Sequence, residues 1–89
     1  MKRDKFLVRR DMLQVIFANK QGLRLTILLT KANLSLEVAR DHLKFMESNE
    51  LVSKKDNLIH LTEKGRIYLI KLVSLLNERD SIIKEMDRC

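Results

Sequence analysis

Residues 51–61 read Leu51-Val52-Ser53-Lys54-Lys55-Asp56-Asn57-Leu58-Ile59-His60-Leu61. Two short apolar segments flank a charged, polar centre that contains an Asp-Asn pair. This pattern predicts a β-hairpin, because Asp and Asn tolerate the left-handed backbone that tight hairpin turns require. Everything else in the chain reads as helix, so the position of this hairpin decides the fold.

Upstream, Ser35 stands before Leu36, Ala39, Leu43 and Met46, which repeat at three- and four-residue spacing. A serine whose hydroxyl caps the first turn and a single apolar face predict a helix stopping near Asn49. Glu37, Arg40, Asp41 and Lys44 fall on its opposite face. Before it, Leu23–Leu29 alternates like a strand and also fits one helix face. We read an extended lead-in at Leu23–Leu25, then a helix from about Thr26 as N-cap to Ala32-Asn33, with a tight turn at Asn33-Leu34. Earlier still, Phe6, Val8, Met12, Leu13, Val15, Ile16 and Phe17 give helical spacing from Asp4 to Ala18, stopped at Asn19 to Gly22. Downstream, Thr62 is a natural N-cap for residues 62–88, a helix of about 26 residues and roughly 39 Å.

Helix, helix, helix, hairpin, helix is an informative order. Two helices joined by a short turn form a helix-turn-helix, whose second member can enter the DNA major groove, and a hairpin directly after it is a wing. The fold class is mainly α, an α+β winged helix: a three-helix helix-turn-helix core, a short β-hairpin wing and a long C-terminal helix forming a dimeric coiled coil. We divide the chain into a winged helix-turn-helix DNA-binding domain over 1–62 and a dimerisation helix over 63–89.

Charge agrees with a polyanionic partner. The 89 residues carry a net charge of +6, and residues 1–34 hold eight Lys/Arg against two acids. The remainder is nearly balanced, so the excess sits in the N-terminal third, and nucleic acid is the first candidate. No apolar run approaches the ~20 residues of a membrane span. The lone Cys89 leaves no disulfide within these residues, which fits a reducing interior. The expectation is a cytoplasmic, nucleoid-associated protein.

Enzyme chemistry finds no support. The chain has two glycines and no phosphate-cradling loop, and no Cys/His/Asp cluster has ligand spacing. His42, in a stripe with Val38 and Phe45, and His60, within a strand, read as structural. No enzyme activity, cofactor, metal or small-molecule ligand is expected.

The candidate DNA contacts are Arg24, Lys31, Ser35, Leu36, Glu37, Arg40, Asp41 and Lys44 around the helix-turn-helix, and Lys54, Lys55 and Asn57 at the wing. Arg40 suits guanine or phosphate, and Lys44 suits phosphate. Arg24 and Lys31 flank the second helix, placed to clamp phosphates. Arg9 and Arg10 keep an open role. Glu37 and Asp41 repel phosphate unless one accepts from cytosine; as a solvated face they would instead pair with Arg40 and Lys44. Those acids also suit a rival reading, a winged helix used as a protein-interaction adaptor without significant DNA binding.

In the last helix Leu69, Leu72, Leu76, Arg79, Ile83 and Met86 follow heptad spacing. A second frame, Tyr68, Leu72, Leu75, Arg79, Ile82 and Met86, shares three of these positions. The stripe is broader than a two-stranded seam needs: its first half must pack on the head, and its far half calls for a partner. A second copy is the simplest, with Arg79 pairing to Glu78 or Asp80 of the other chain.

The stretch Lys31-Ala32-Asn33-Leu34-Ser35, then Leu43, Met46 and Asn49-Glu50-Leu51-Val52, and the segment Leu61-Thr62-Glu63-Lys64-Gly65-Arg66 before an aliphatic helix, carry a resemblance. Together they resemble the small archaeal ten-kilodalton winged-helix DNA-binding proteins with a C-terminal coiled-coil dimerisation helix. The resemblance covers roughly Asp4 to Lys84. Its most specific piece, Leu-Thr-Glu-Lys-Gly, also occurs in many other winged-helix regulators. It implies a homodimer with antiparallel C-terminal helices holding two heads apart, each binding duplex DNA as a transcription regulator or chromatin-like protein.

Overall fold

The computed structural model describes the backbone of residues 4–87 and the side chains of residues 4–79. Within them the chain runs α1 (Lys5–Ala18), α2 (Leu25–Ala32), α3 (Leu36–Ser48), β1 (Val52–Lys55), β2 (Leu58–Leu61) and α4 (Glu63–Asp87). This is the expected winged-helix order.

Each boundary has a local cause. Asp4 caps α1, its Oδ1 accepting from the Phe6 N–H at 2.7 Å. Gly22, at φ +90°, turns the chain after α1 where a side chain would be strained and would strike the His60 ring. Asn33 ends α2 in the left-handed region at φ 55°, a conformation Asn tolerates better than most residues. Ser35 caps α3 through the Val38 N–H at 3.3 Å. α3 ends as the Leu51 N–H returns to the Met46 carbonyl at 2.8 Å, with Glu50 at φ 59°. That six-to-one closure satisfies a carbonyl the helix would leave open.

The start of α2 differs from expectation. Thr26 is inside the helix rather than its cap; Arg24 holds the cap position and makes no side-chain capping bond. The cause lies across the fold. Leu23 forms an antiparallel bridge with Ile59 of β2, exchanging N–H···O bonds of 3.1 and 2.8 Å, and this fixes where the extended lead-in stops.

The wing is a two-stranded antiparallel hairpin with Lys55 opposite Leu58. Its two turn residues, Asp56 and Asn57, both have positive φ, 54° and 64°. That is the mirror-type turn whose twist suits a tight hairpin.

The wing is tied to α4 at one compact joint. The Thr62 hydroxyl donates to the backbone carbonyls of Glu50 and Leu51 at 2.6 and 2.9 Å, and accepts from the Gly65 N–H at 2.9 Å. Gly65 itself lies on the Leu51 carbonyl, where a β-carbon would collide with backbone. The Leu-Thr-Glu-Lys-Gly segment thus has a mechanical meaning: a cap, a strap and a close approach within five residues.

The core is aliphatic. Val8, Met12, Leu13 and Ile16 of α1 meet Leu28 and Ala32 of α2, Ala39, Leu43 and Met46 of α3, and Leu51, Val52, Ile59 and Leu69. Each large side chain there contributes about 1.5–3 kcal/mol by leaving water. Leu69 belongs to α4, so the long helix begins as part of the head.

Candidate nucleic-acid interface

Every residue expected to touch DNA is exposed: Arg24, Lys31, Ser35, Leu36, Glu37, Arg40, Asp41, Lys44, Lys54, Lys55 and Asn57. They do not form one group. Arg24, Leu25 and Thr26 at the start of α2 share a depression of about 470 Å³ with Lys54, Asn57 and Ile59 of the wing. The Leu23–Ile59 bridge brings these two segments together, so Arg24 and Lys54 converge although thirty positions separate them in sequence. Lys54 also pairs with Glu47 of α3 at 3.1 Å, which ties the wing to the reading helix.

Lys31 is placed elsewhere. Its Nζ reaches Asn19 Oδ1 at 3.5 Å, and it lines a separate hollow with Asp11, Gln14 and Asn33. It therefore borders α1 and does not join Arg24 at the wing.

On α3, Ala39, Leu43 and Met46 point inward. Glu37, Arg40, Asp41 and Lys44 are left as an exposed row, with Leu36 43% exposed at its start. Among the described residues none of these four charged groups is held in an ion pair, so the pairing that a solvated face would show is absent there. Guanidinium and carboxylate groups alternate along the row, free to meet base edges or phosphates.

Arg9, whose role the sequence left open, turns toward the flank of α3. Its guanidinium carbon lies 3.8 Å from the Phe45 ring centroid, and its Nε–H donates to His42 Nδ1 at 3.3 Å. Phe45 in turn meets Tyr68 of α4, ring centroids 6.2 Å apart. Sequence reasoning missed this cluster because its members are far apart in the chain.

The long helix packs the first half of the expected seam on the head. Leu69, Leu72 and Leu76 are buried within the chain itself, at 7%, 6% and 4% exposure. Arg79 pairs with Asp4 Oδ2 of its own chain at 2.8 Å. The Asp4 carboxyl is held below its ordinary value by the Phe6 N–H first and Arg79 next. Ile83 and Met86 lie outside the residues whose side chains are described. The expected frame therefore turns toward the head over its first half, because α4 packs along α1 there.

One member of the second frame, Leu75, faces out. Leu75 is 63% exposed, and with Phe6, Tyr68, Lys71, Leu72, Leu76 and Arg79 it lines a mainly apolar groove of about 480 Å³. Among the described residues no group of three or more His, Cys, Asp or Glu side chains can hold a metal ion. No helix there is long and apolar enough to cross a membrane.

A three-helix head followed by a mirror-turn wing is the architecture of winged helix-turn-helix domains. The chain matches the winged helix-turn-helix family over residues 2–84 and belongs to that family. It is similar to the uncharacterized protein MJ0290 of Methanocaldococcus jannaschii, 32% identical over 72 residues, covering 81% of this chain and 33% of that protein. The chain thus spans about a third of the length of this curated relative. An archaeal relative agrees with the archaeal resemblance carried by the wing-closing segment.

Proposed function

We propose that this protein binds duplex DNA as a homodimer, serving as a transcription regulator or chromatin-like architectural protein in the cytoplasm, at the nucleoid. The observation that carries the reading is the convergence of Arg24, Lys54 and Asn57 at one corner, beside an exposed α3. The corner supplies phosphate contacts; α3, with Ser35, Leu36, Glu37, Arg40, Asp41 and Lys44, enters the major groove. Arg40 reads guanine, the acids accept from cytosine, and Leu36 offers an apolar contact for thymine methyl. Lys55 extends the wing along the backbone, and Lys31 adds a peripheral positive charge. Affinity comes mainly from counterion release and falls steeply with salt.

Residues 1–62 act as the reading head and 63–89 as the dimerisation helix, whose first turns also complete the head. The seam follows the second frame, Tyr68, Leu72, Leu75 and Arg79, because its groove is apolar and Leu75 is open. Leu69 and Leu76 support that seam from behind, and Ile82 and Met86 continue it in place of the first frame's Ile83. Leu75→Lys should give a folded monomer by light scattering, and an unchanged dimer would contradict this seam. Leu76→Lys is the wrong probe, since it would damage the head.

The function is tested with Arg40→Glu, Lys54→Glu and Lys55→Glu combined. The folded variant should fail to retard a duplex that the wild type retards. Normal binding by the variant would remove this surface from consideration. The unpaired Glu37 and Asp41 favour one second reading, an adaptor that binds a protein through α3. Failure of the wild type to bind duplex even at low salt would select it.

A further inference from the structure

His42 belongs to α3 but does not stand in the outward row with Arg40 and Lys44. It is half-buried on the flank that meets α1, one turn before Met46 and three residues from Phe45. Arg9 reaches it from α1, donating from Nε to His42 Nδ1 at 3.3 Å while its guanidinium carbon lies 3.8 Å from the Phe45 ring centroid. The Phe6 ring borders the same guanidinium at 5.9 Å, and the Tyr68 ring of α4 meets Phe45 in a tilted contact, centroids 6.2 Å apart. One arginine side chain thereby links the first helix to the reading helix.

The chemistry of this contact constrains the imidazole. A guanidinium has only donors, so the nitrogen it addresses must offer a lone pair. His42 is therefore neutral in this arrangement, with its proton on Nε2. Protonation turns Nδ1 into a donor and sets two cations at hydrogen-bond distance, reversing the contact from attraction to repulsion.

We propose that the Arg9–His42 contact is a proton-operated latch on the reading helix, closed while the imidazole is neutral and opened when it takes a proton. In the open state Arg9 leaves its seat over Phe45, and α3 loses this polar tie to α1 while the shared apolar core remains. The charged groups acting on His42 are Arg9 from α1 and Asp41 from α3 itself; α4 presents Tyr68 to the neighbouring Phe45. Burial first, and Arg9 second, hold the imidazole below its ordinary value of 6.5, against an upward pull from Asp41.

The sign follows from linkage. A histidine with a depressed folded pKa leaves the unfolded chain holding more protons as pH falls below 6.5. The latch's share of stability is therefore complete above about 6.5 and is lost as pH falls through that value toward the lower folded one. Asp4 and Glu63, held below their ordinary 3.8 and 4.5, lose their contributions only in stronger acid. The two windows are separate. The latch rests on the DNA-binding reading only for its consequence at the duplex.

Thermal unfolding of wild type and His42→Gln, followed by circular dichroism from about pH 7.5 to about pH 5, tests the latch. The wild-type midpoint should fall by several degrees, and the His42→Gln midpoint by clearly less, because an amide does not charge. Equal falls in both would overturn the proposal. If His42→Gln does not fold, the imidazole resonances of wild type and Arg9→Gln decide. The Nε2–H tautomer at neutral pH, with a midpoint that rises in Arg9→Gln, supports the latch; the Nδ1–H tautomer, or an unmoved midpoint, overturns it. At the duplex the latch opposes simple charge. Added protons alone strengthen binding, so a several-fold loss of affinity in acid that His42→Gln abolishes supports action on the reading helix. A gain in both proteins would overturn that action. No duplex binding at any pH would fail the DNA-binding reading, while unfolding and resonance data still judge the latch.

Discussion

The outward row of α3 and the corner where α2 meets the wing are neighbours, joined by the Glu47–Lys54 pair, yet their charges are arranged differently. The row alternates Glu37, Arg40, Asp41 and Lys44. The corner gathers Arg24, Lys54 and Asn57, with Glu47 of α3 paired to Lys54 and Asp56 at the adjoining turn. A cationic corner binds the phosphates of any sequence. A mixed row has no net charge to draw phosphate and gains most where its donors and acceptors match base edges. On the proposed DNA-binding reading, the difference gives affinity to the corner and discrimination to the helix.

The comparison can be broken most severely at the wing's foundation. Gly65→Ala places a methyl against the Leu51 carbonyl and should cost about 3 kcal/mol by urea unfolding, since overpacked sites have little room to relax. A loss under about 0.5 kcal/mol, within the range of ordinary surface changes, would mean that the joint is loose. A smaller effect should come from the corner alone. Arg24→Glu with Lys54→Glu should weaken binding by about 100-fold for random and specific duplexes alike, and flatten the salt slope by at least about two. Arg40→Ala sharpens the contrast with the smallest change. It should weaken a preferred duplex by about 10-fold, the scale of one bidentate base contact, and leave random duplex nearly unchanged. Equal losses on both duplexes would make Arg40 another phosphate contact.

Element order was legible in the sequence because each element carries a local signal. The caps at Ser35 and Thr62, the stop at Gly22 and the Asp56-Asn57 turn act within a few residues, and all are realised in the fold. The start of α2 was not legible. Thr26 looks like a cap, but the Leu23–Ile59 bridge settles the matter from 36 positions away. Which edge of the α4 stripe meets the head was not legible either: spacing defines a stripe, but the edge that faces α1 depends on packing that spacing does not encode. Hence Leu69 and Leu76 face inward, and Arg79 finds Asp4.

The exposed charges of the candidate interface were legible one by one. Their grouping was not, since Arg24 and Lys54 converge through the fold while Lys31 diverges toward Asn19. The Arg9–His42 contact spans 33 positions and had no local signature.

Fluorescence anisotropy of labelled random and AT-rich duplexes, titrated at several salt concentrations, tests the central claim most directly. The account predicts saturable binding whose affinity falls linearly on a log–log plot with a steep negative slope, reflecting several phosphate contacts. Equal affinity for both duplexes would indicate an architectural role, and unequal affinity a regulatory one. Absence of binding at low salt, or binding indifferent to salt, would contradict the account.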